Sequence, residues 1–114
     1  MTVPTFTAVI WIGTKHRESG LLEPSENVVH AIQEYVDQVG LCVSVTPTTF
    51  IYKNGSEPGF AVGLINYPRF PSTQEKIQAH AMTLAQILKD VAGQFKVSVV
   101  FPGTTDMLST EPGE

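Results

Sequence analysis

Apolar runs and amphipathic stretches alternate along this chain with a regularity that predicts its elements before any single residue is weighed. Phe6 to Ile12 is nearly unbroken in apolar character and includes Val9, Ile10, Trp11 and Ile12. A strand apolar on both faces belongs in the middle of a sheet. Gly13 to Pro24 is polar and shows no periodicity. From Glu26 to Val39 the apolar positions Val28, Val29, Ile32, Tyr35, Val36 and Val39 recur at helical spacing, with Ser25 as the expected N-cap and Gly40 as the terminator. Leu41 to Val45 reads as a second strand, broken near Pro47 and resumed from Thr49 to Tyr52. Proline cannot donate to a ladder, so this strand should bulge or lie at an edge.

Tyr52-Lys53-Asn54-Gly55-Ser56-Glu57-Pro58-Gly59-Phe60 follows. Asn-Gly and Pro-Gly supply the positive-φ and fixed-φ positions of a chain reversal, which places Glu57 in a loop. Phe60 to Ile65 is a third strand, apolar throughout, and Tyr67 to Pro71 is a proline-stiffened connector. Ser72-Thr73-Gln74-Glu75 has the form of a capping box. The helix it opens buries Ile77, Ala81, Leu84, Ala85, Leu88 and Val91 and stops at Gly93; Val97 to Phe101 is the fourth strand.

The order is β-α-β-β-α-β. Two right-handed β-α-β halves joined by a hairpin make a ferredoxin-like α+β sandwich, with four antiparallel strands and two helices on one face. The expected organisation is a single domain, residues 1–114, with a core over about 5–102 and a flexible tail over 103–114 rich in Gly, Pro, Thr and Ser. The first and third strands carry apolar side chains on both sides. The face without helices should therefore meet a partner, and a homo-oligomer with clefts between subunits is expected.

Composition narrows the classes. A net charge of −4 and a pI near 5.3, with seven Lys and Arg dispersed along the chain, argue against nucleic acid as a partner. No apolar stretch approaches the ~18 residues of a membrane span and no basic-then-apolar leader is apparent, so no membrane association and a cytoplasmic location are expected. Cys42 has no second cysteine to pair with and sits between Leu41 and Val43, which suggests burial.

Cofactor and metal signatures are missing. His16, His30 and His80 fall in a loop and two separate helices without a ligand spacing, so no metal is expected. His30, flanked by Glu26 and Glu34 at four-residue separations, reads as helix-surface charge pairing. There is no dinucleotide fingerprint, phosphate loop or nucleophile elbow, and no cofactor is expected. Two loops remain. Gly13-Thr14-Lys15-His16-Arg17 can offer N–H groups, a hydroxyl and two cations to an anion. Glu57 beside Tyr52 and Phe60 can receive a cation, because a carboxylate and aromatic faces act together. A zwitterionic or sulfonium ligand would suit both.

These features resemble the bacteriophage S-adenosylmethionine (SAM) lyases, once described as hydrolases. The resemblance spans roughly Phe6 to Phe101 and rests on three features. They are the apolar first strand with its long polar loop, Gly40-Leu41 before a strand containing Ser44-Val45, and Tyr52-Lys53 followed by a glutamate ahead of the third strand. It implies a PII-like trimer with sites between subunits, Glu57 as the catalytic glutamate with Tyr52 lining the site, and Gly13 and Thr14 in the loop that receives the substrate carboxylate; the reading of the two loops adds Lys15, Arg17 and Phe60 as substrate-binding residues. The implied reaction converts SAM to homoserine lactone and 5′-methylthioadenosine without metal or cofactor. The stretch from Cys42-Val43 through a proline to Tyr52, a glycine and a glutamate is also similar to the trimeric CutA proteins, and PII proteins place a nucleotide-responsive loop at the same point. A non-enzymatic nucleotide-binding trimer, or a small inhibitor that captures a host protein by its sheet edge, is the alternative.

Overall fold

A computed structural model describes residues 1–110. It contains β1 (Thr7–Gly13), α1 (Ser25–Val39), β2 (Val43–Tyr52), β3 (Gly55–Ile65), α2 (Gln74–Val91), β4 (Lys96–Phe101) and β5 (Thr104–Ser109). The first six elements are the expected β-α-β-β-α-β. The sheet order is β2-β3-β1-β4-β5, with β1 and β3 adjacent and every pairing antiparallel. This is the ferredoxin-like sandwich, extended by a fifth strand.

Strand alternation divides the side chains between two faces. Ala8, Ile10 and Ile12 of β1 pair with Leu64, Val62 and Phe60 of β3, and Ile10 pairs with Val99 of β4. All are buried in one core with Val28, Ile32 and Tyr35 of α1 and Ile77, Ala81, Leu84, Ala85 and Leu88 of α2. The opposite face carries no helix. Val9, Trp11, Ala61, Ile65, Val100 and Met107 lie there by the same alternation, and Trp11, Ile65 and Met107 are exposed.

Several sequence expectations are corrected. The tail from residue 103 is not loose throughout: Thr104–Ser109 pairs with β4 along its whole length, in the register Phe101↔Thr104 to Lys96↔Ser109. Its polar composition suits an edge strand, which has water on one side, and that removed the alternation a buried strand would show. Residues 111–114 of the expected tail lie outside the described range. Cys42 is exposed. It precedes β2 in the connection that follows the left-handed Gly40 (φ 71°), and β2 is an edge strand, so no second layer covers it. The edge position of β2 agrees with Pro47, which sits within a continuous strand opposite Phe60.

The helix starts also shift. α1 begins at Ser25 with Pro24 at the cap position and no side-chain capping bond, so Ser25 is not the cap. In α2 the cap is Thr73, whose Oγ1 accepts from the Lys76 N–H at 3.2 Å. Ser72 instead donates its N–H to Asn66 Oδ1 at 2.8 Å, which anchors the connector. The box pattern was displaced by one residue because two adjacent hydroxyl residues were both eligible. Thr73→Ala is expected to cost about 1 kcal/mol, readable by urea denaturation, while Ser72→Ala leaves the cap intact.

Candidate functional site

β2 and β3 meet in a two-residue turn, Lys53-Asn54, between Tyr52 and Gly55, with Asn54 at φ 64°. The second turn signal, Pro58-Gly59, makes no turn. Both residues lie within β3, opposite Thr49 and Thr48. Glu57 is consequently a strand residue, paired with Phe50, and not a loop carboxylate. It is only 6% exposed.

Alternation places Glu57 on the helix-free face, and Gly13 gives its carboxylate room. A Cβ at position 13 would stand 2.7 Å from Glu57 Oε2 and 3.3 Å from Gln94 Oε1, so only glycine fits there without displacing the acid. The loop after β1 then folds over the carboxylate. The Lys15 N–H reaches Glu57 Oε2 at 3.4 Å, and Arg17 Nη2 lies 3.6 Å from Glu57 Oε1. Arg17 is about half exposed, so this long ion pair is weak and easily exchanged.

The loop is held from several sides. Thr14 donates both its N–H and its hydroxyl to the Pro58 carbonyl, each at 3.0 Å. The Arg17 N–H donates to Gly93 O (3.0 Å), and Gln94 Nε2 donates to Lys15 O (2.7 Å). His16 Nε2 pairs with Glu23 Oε1 at 2.7 Å, while Asn27 Nδ2 donates to Glu23 Oε2 at 2.6 Å. The hydrogen bonds from Asn27 and then His16 hold the Glu23 carboxyl below its ordinary value of 4.5. A depressed carboxyl stabilises the fold above its unfolded pKa and loses that contribution as pH falls through the folded one. Protection of the amides of residues 14–23, taken relative to the intrinsic exchange rate at each pH, should therefore fall below about pH 4.5, ahead of protection in β1.

Around the acid lies a cavity of about 280 Å³, lined by Trp11, Gly13, Arg17, Phe50, Tyr52, Glu57, Gln94, Lys96, Val97 and Ser98. Trp11 and Phe50 meet edge-to-face with centroids 6.3 Å apart. The ring of Tyr52 lies over Gly55 and is 47% exposed. The cavity thus joins a buried carboxylate and three aromatic side chains to two cationic residues.

Of the residues singled out in the sequence, Glu57, Tyr52, Gly13 and Arg17 converge on this cavity, and Lys15 contributes a backbone N–H. Thr14 is not brought to it: the residue is 4% exposed and its hydroxyl is bonded to Pro58. Phe60 is not either. It pairs with Ile12, points to the helix side and belongs to the core, because it is three residues from Glu57 and hence on the other face. Trp11, Phe50, Gln94, Lys96 and Ser98 were missed as site residues. Trp11 and Phe50 had a signal, since two-residue alternation puts them on the face that helices leave open. Gln94, in a short connection after α2, had none.

His30 pairs with Glu34 at 2.9 Å and His80 Nδ1 with the Tyr35 hydroxyl at 2.8 Å. Among the described residues, no three of His, Cys, Asp and Glu converge as metal ligands, and no helix is long and apolar enough to cross a membrane.

Two solved structures share this architecture. A phage SAM lyase in complex with S-methyl-5′-thioadenosine aligns over 96% of this chain and 93% of its own, with a TM-score of 0.74 and 15% identity. A phage SAM lyase in the apo state aligns over 96% and 92%, with a TM-score of 0.66 and 16% identity. No protein-family model and no curated sequence matches the chain. At these identities the likeness is one of fold.

Proposed function

We propose that this chain, which has the fold of the phage SAM lyases, is itself an S-adenosylmethionine lyase. The observation that carries the reading is the buried Glu57 carboxylate at the floor of an aromatic-walled cavity. In the reaction, one carboxylate oxygen of the substrate attacks its own γ-carbon. The new C–O bond closes a five-membered lactone as the C–S bond breaks. The departing electron pair neutralises the sulfonium, so 5′-methylthioadenosine leaves uncharged, and no water is consumed.

That chemistry asks the protein for conformation and charge placement rather than for a strong base. Intramolecular attack is accelerated when the chain is held in a near-attack fold. Glu57, with the faces of Trp11, Phe50 and Tyr52, suits the sulfonium end. Arg17 and the Lys15 N–H suit the carboxylate end. Gly13 supports both by admitting the acid and starting the loop. The weak Arg17–Glu57 pair can separate when the ligand arrives, each partner taking the opposite charge of the substrate.

The site belongs between subunits of a homotrimer in this reading. Two features support it: the cavity lies on the uncovered sheet face, and its 280 Å³ falls just below the ~300–1,000 Å³ usual for small-molecule sites. A second copy over Trp11, Ile65 and Met107 would bury those side chains and close the cavity. Light scattering should give three times the 12.4 kDa of one chain.

The decisive experiment is incubation with SAM in isotopically labelled water, followed by chromatography. Formation of 5′-methylthioadenosine with unlabelled lactone as the first product supports the reading. An inert protein that ATP stabilises thermally would favour nucleotide binding of the PII kind, and one unresponsive to any nucleotide would favour a protein-binding role.

A further inference from the structure

The end of the sheet remote from Glu57 carries a second cavity, of about 260 Å³. One wall is Ile65, the last residue of β3, which stands eight residues from Glu57 and so roughly 26 Å away at ~3.3 Å per strand residue. Val39 at the end of α1, Leu41 in the connection after it and Ile77 of α2 complete an apolar lining. Two aromatic rings join them. Tyr67 and Phe70 are 39% and 57% exposed, yet the connector that bears them is pinned. The Phe70 N–H donates to Tyr67 O at 2.9 Å, and the buried Asn66 donates Nδ2 to Pro4 O and accepts the Ser72 N–H, both at 2.8 Å. The Cys42 thiol and the Tyr67 hydroxyl interact, which ties that ring to the connection before β2. Exposed rings on a fixed support are what a pre-formed small-molecule site requires.

The charge of this cavity opposes that of the chain. Its lining includes Lys76 and His80 and no Asp or Glu, although the net charge is −4. Arg69 adds a guanidinium 5.9 Å from the Phe70 ring centroid. His80 is fixed from behind. Its Nδ1 lies 2.8 Å from the hydroxyl of the buried Tyr35, and the two rings meet edge-to-face with centroids 5.9 Å apart. With the single hydroxyl hydrogen of Tyr35 assigned to Nδ1, the imidazole carries its own hydrogen on Nε2, where it can donate to a ligand.

We propose that this cavity is a second small-molecule site, which takes an amphiphilic anion: a carboxylate on a short arm attached to one aromatic ring. A cavity of ~150 Å³ suffices for benzene, so 260 Å³ has room for a ring and a short acidic arm. The ring packs among Tyr67, Phe70 and Ile77, and the carboxylate meets Lys76 and His80. A neutral molecule of the same shape leaves the Lys76 charge unmatched, and a cation is repelled. The site draws nothing from the lyase reading and stands or falls separately from it.

Cys42 is the only cysteine, is exposed and lines the cavity, so the rate of its alkylation by neutral iodoacetamide reports occupancy. The probes are phenylacetate, which has ring and charge, phenylethanol, which has the ring alone, and acetate, which has the charge alone. Phenylacetate at about 10 mM should slow alkylation about tenfold, the protection given by a Kd near 1 mM. Phenylethanol and acetate should leave the rate within about twofold. Lys76→Met keeps the length of the side chain and removes its charge. It should weaken phenylacetate about tenfold, as loss of one charge-assisted contact warrants, so that the same dose slows alkylation only about twofold. The side chain of Lys76 is exposed, and a melting curve matching wild type confirms that the variant is folded. Equal protection by phenylacetate and phenylethanol overturns the assignment of an anionic ligand. Undiminished protection in Lys76→Met overturns the part given to that lysine, and no protection by phenylacetate overturns the site.

Discussion

Under the proposed lyase function, Glu57→Gln should leave the protein folded and slow methylthioadenosine formation by about 10²–10³-fold, the usual consequence of removing one group that stabilises charge in a reacting site. The substitution keeps the size of the side chain, so neither Gly13 nor the Lys15 N–H has to move. It removes the charge. The buried acid has only distant partners, 3.4 Å to the Lys15 N–H and 3.6 Å to Arg17, so its burial is poorly compensated. Thermal stability should hold or rise as activity falls, the trade expected where a site is held against the preference of the fold. The measurement pairs a melting curve with chromatographic rates. A variant that melts normally and turns over SAM at the wild-type rate would remove Glu57 from the chemistry.

A second large effect is expected at Gly59. A Cβ there would collide with the Ile12 carbonyl oxygen and the Phe50 ring and would lie 3.0 Å from Gly13 Cα. Two of these neighbours are backbone of β1, the strand paired with β3 at Gly13↔Gly59, and backbone cannot rotate aside. Relief would require β1 and β3 to part beside the acid. Gly59→Ala should cost about 2 kcal/mol or more, in the upper part of the overpacking range, and should raise KM as well, because Glu57 and the loop after Gly13 share that seam. Gly63→Ala is the control. Its Cβ would meet only the Ser44 hydroxyl, at 2.6 Å, which can rotate away. Urea titration of the two variants should separate them, and equal midpoints would show that the close approach at Gly59 carries no weight.

The contrast between Glu57 and Phe60 shows how far local pattern reaches. Because Pro58-Gly59 resembles a turn, the sequence places Glu57 in a loop and Phe60 beside it at the start of the next strand. In the fold the same residues continue β3, and a strand sends positions three apart to opposite faces. Phe60 joins the core and Glu57 the cavity. The turn signal was genuine in type and wrong in place. Gly59 serves a close approach of two strands, a need that depends on which strand becomes the neighbour. Cys42 and β5 misled for a related reason, since whether an edge is covered depends on what the remainder of the chain leaves available.

Element order, the amphipathic faces of both helices and the doubly apolar central strands follow from period and composition, because burial of a stripe or a face is a local demand that neighbouring residues must already satisfy. Glu57, Tyr52, Gly13 and Arg17 stand out as candidates on the same basis, from charge and turn chemistry in two segments. Their convergence came with the sheet order: β2–β3 pairing sets Phe50 opposite Glu57, β1–β3 pairing brings up Trp11 and Gly13, and β4 beside β1 carries in Gln94. The β1–β3 pairing brings Gly13 opposite Gly59 and leaves space for a carboxylate from 44 residues further along the chain. Contacts between distant segments depend on strand register, and register is settled by the packing of the whole sheet against its two helices.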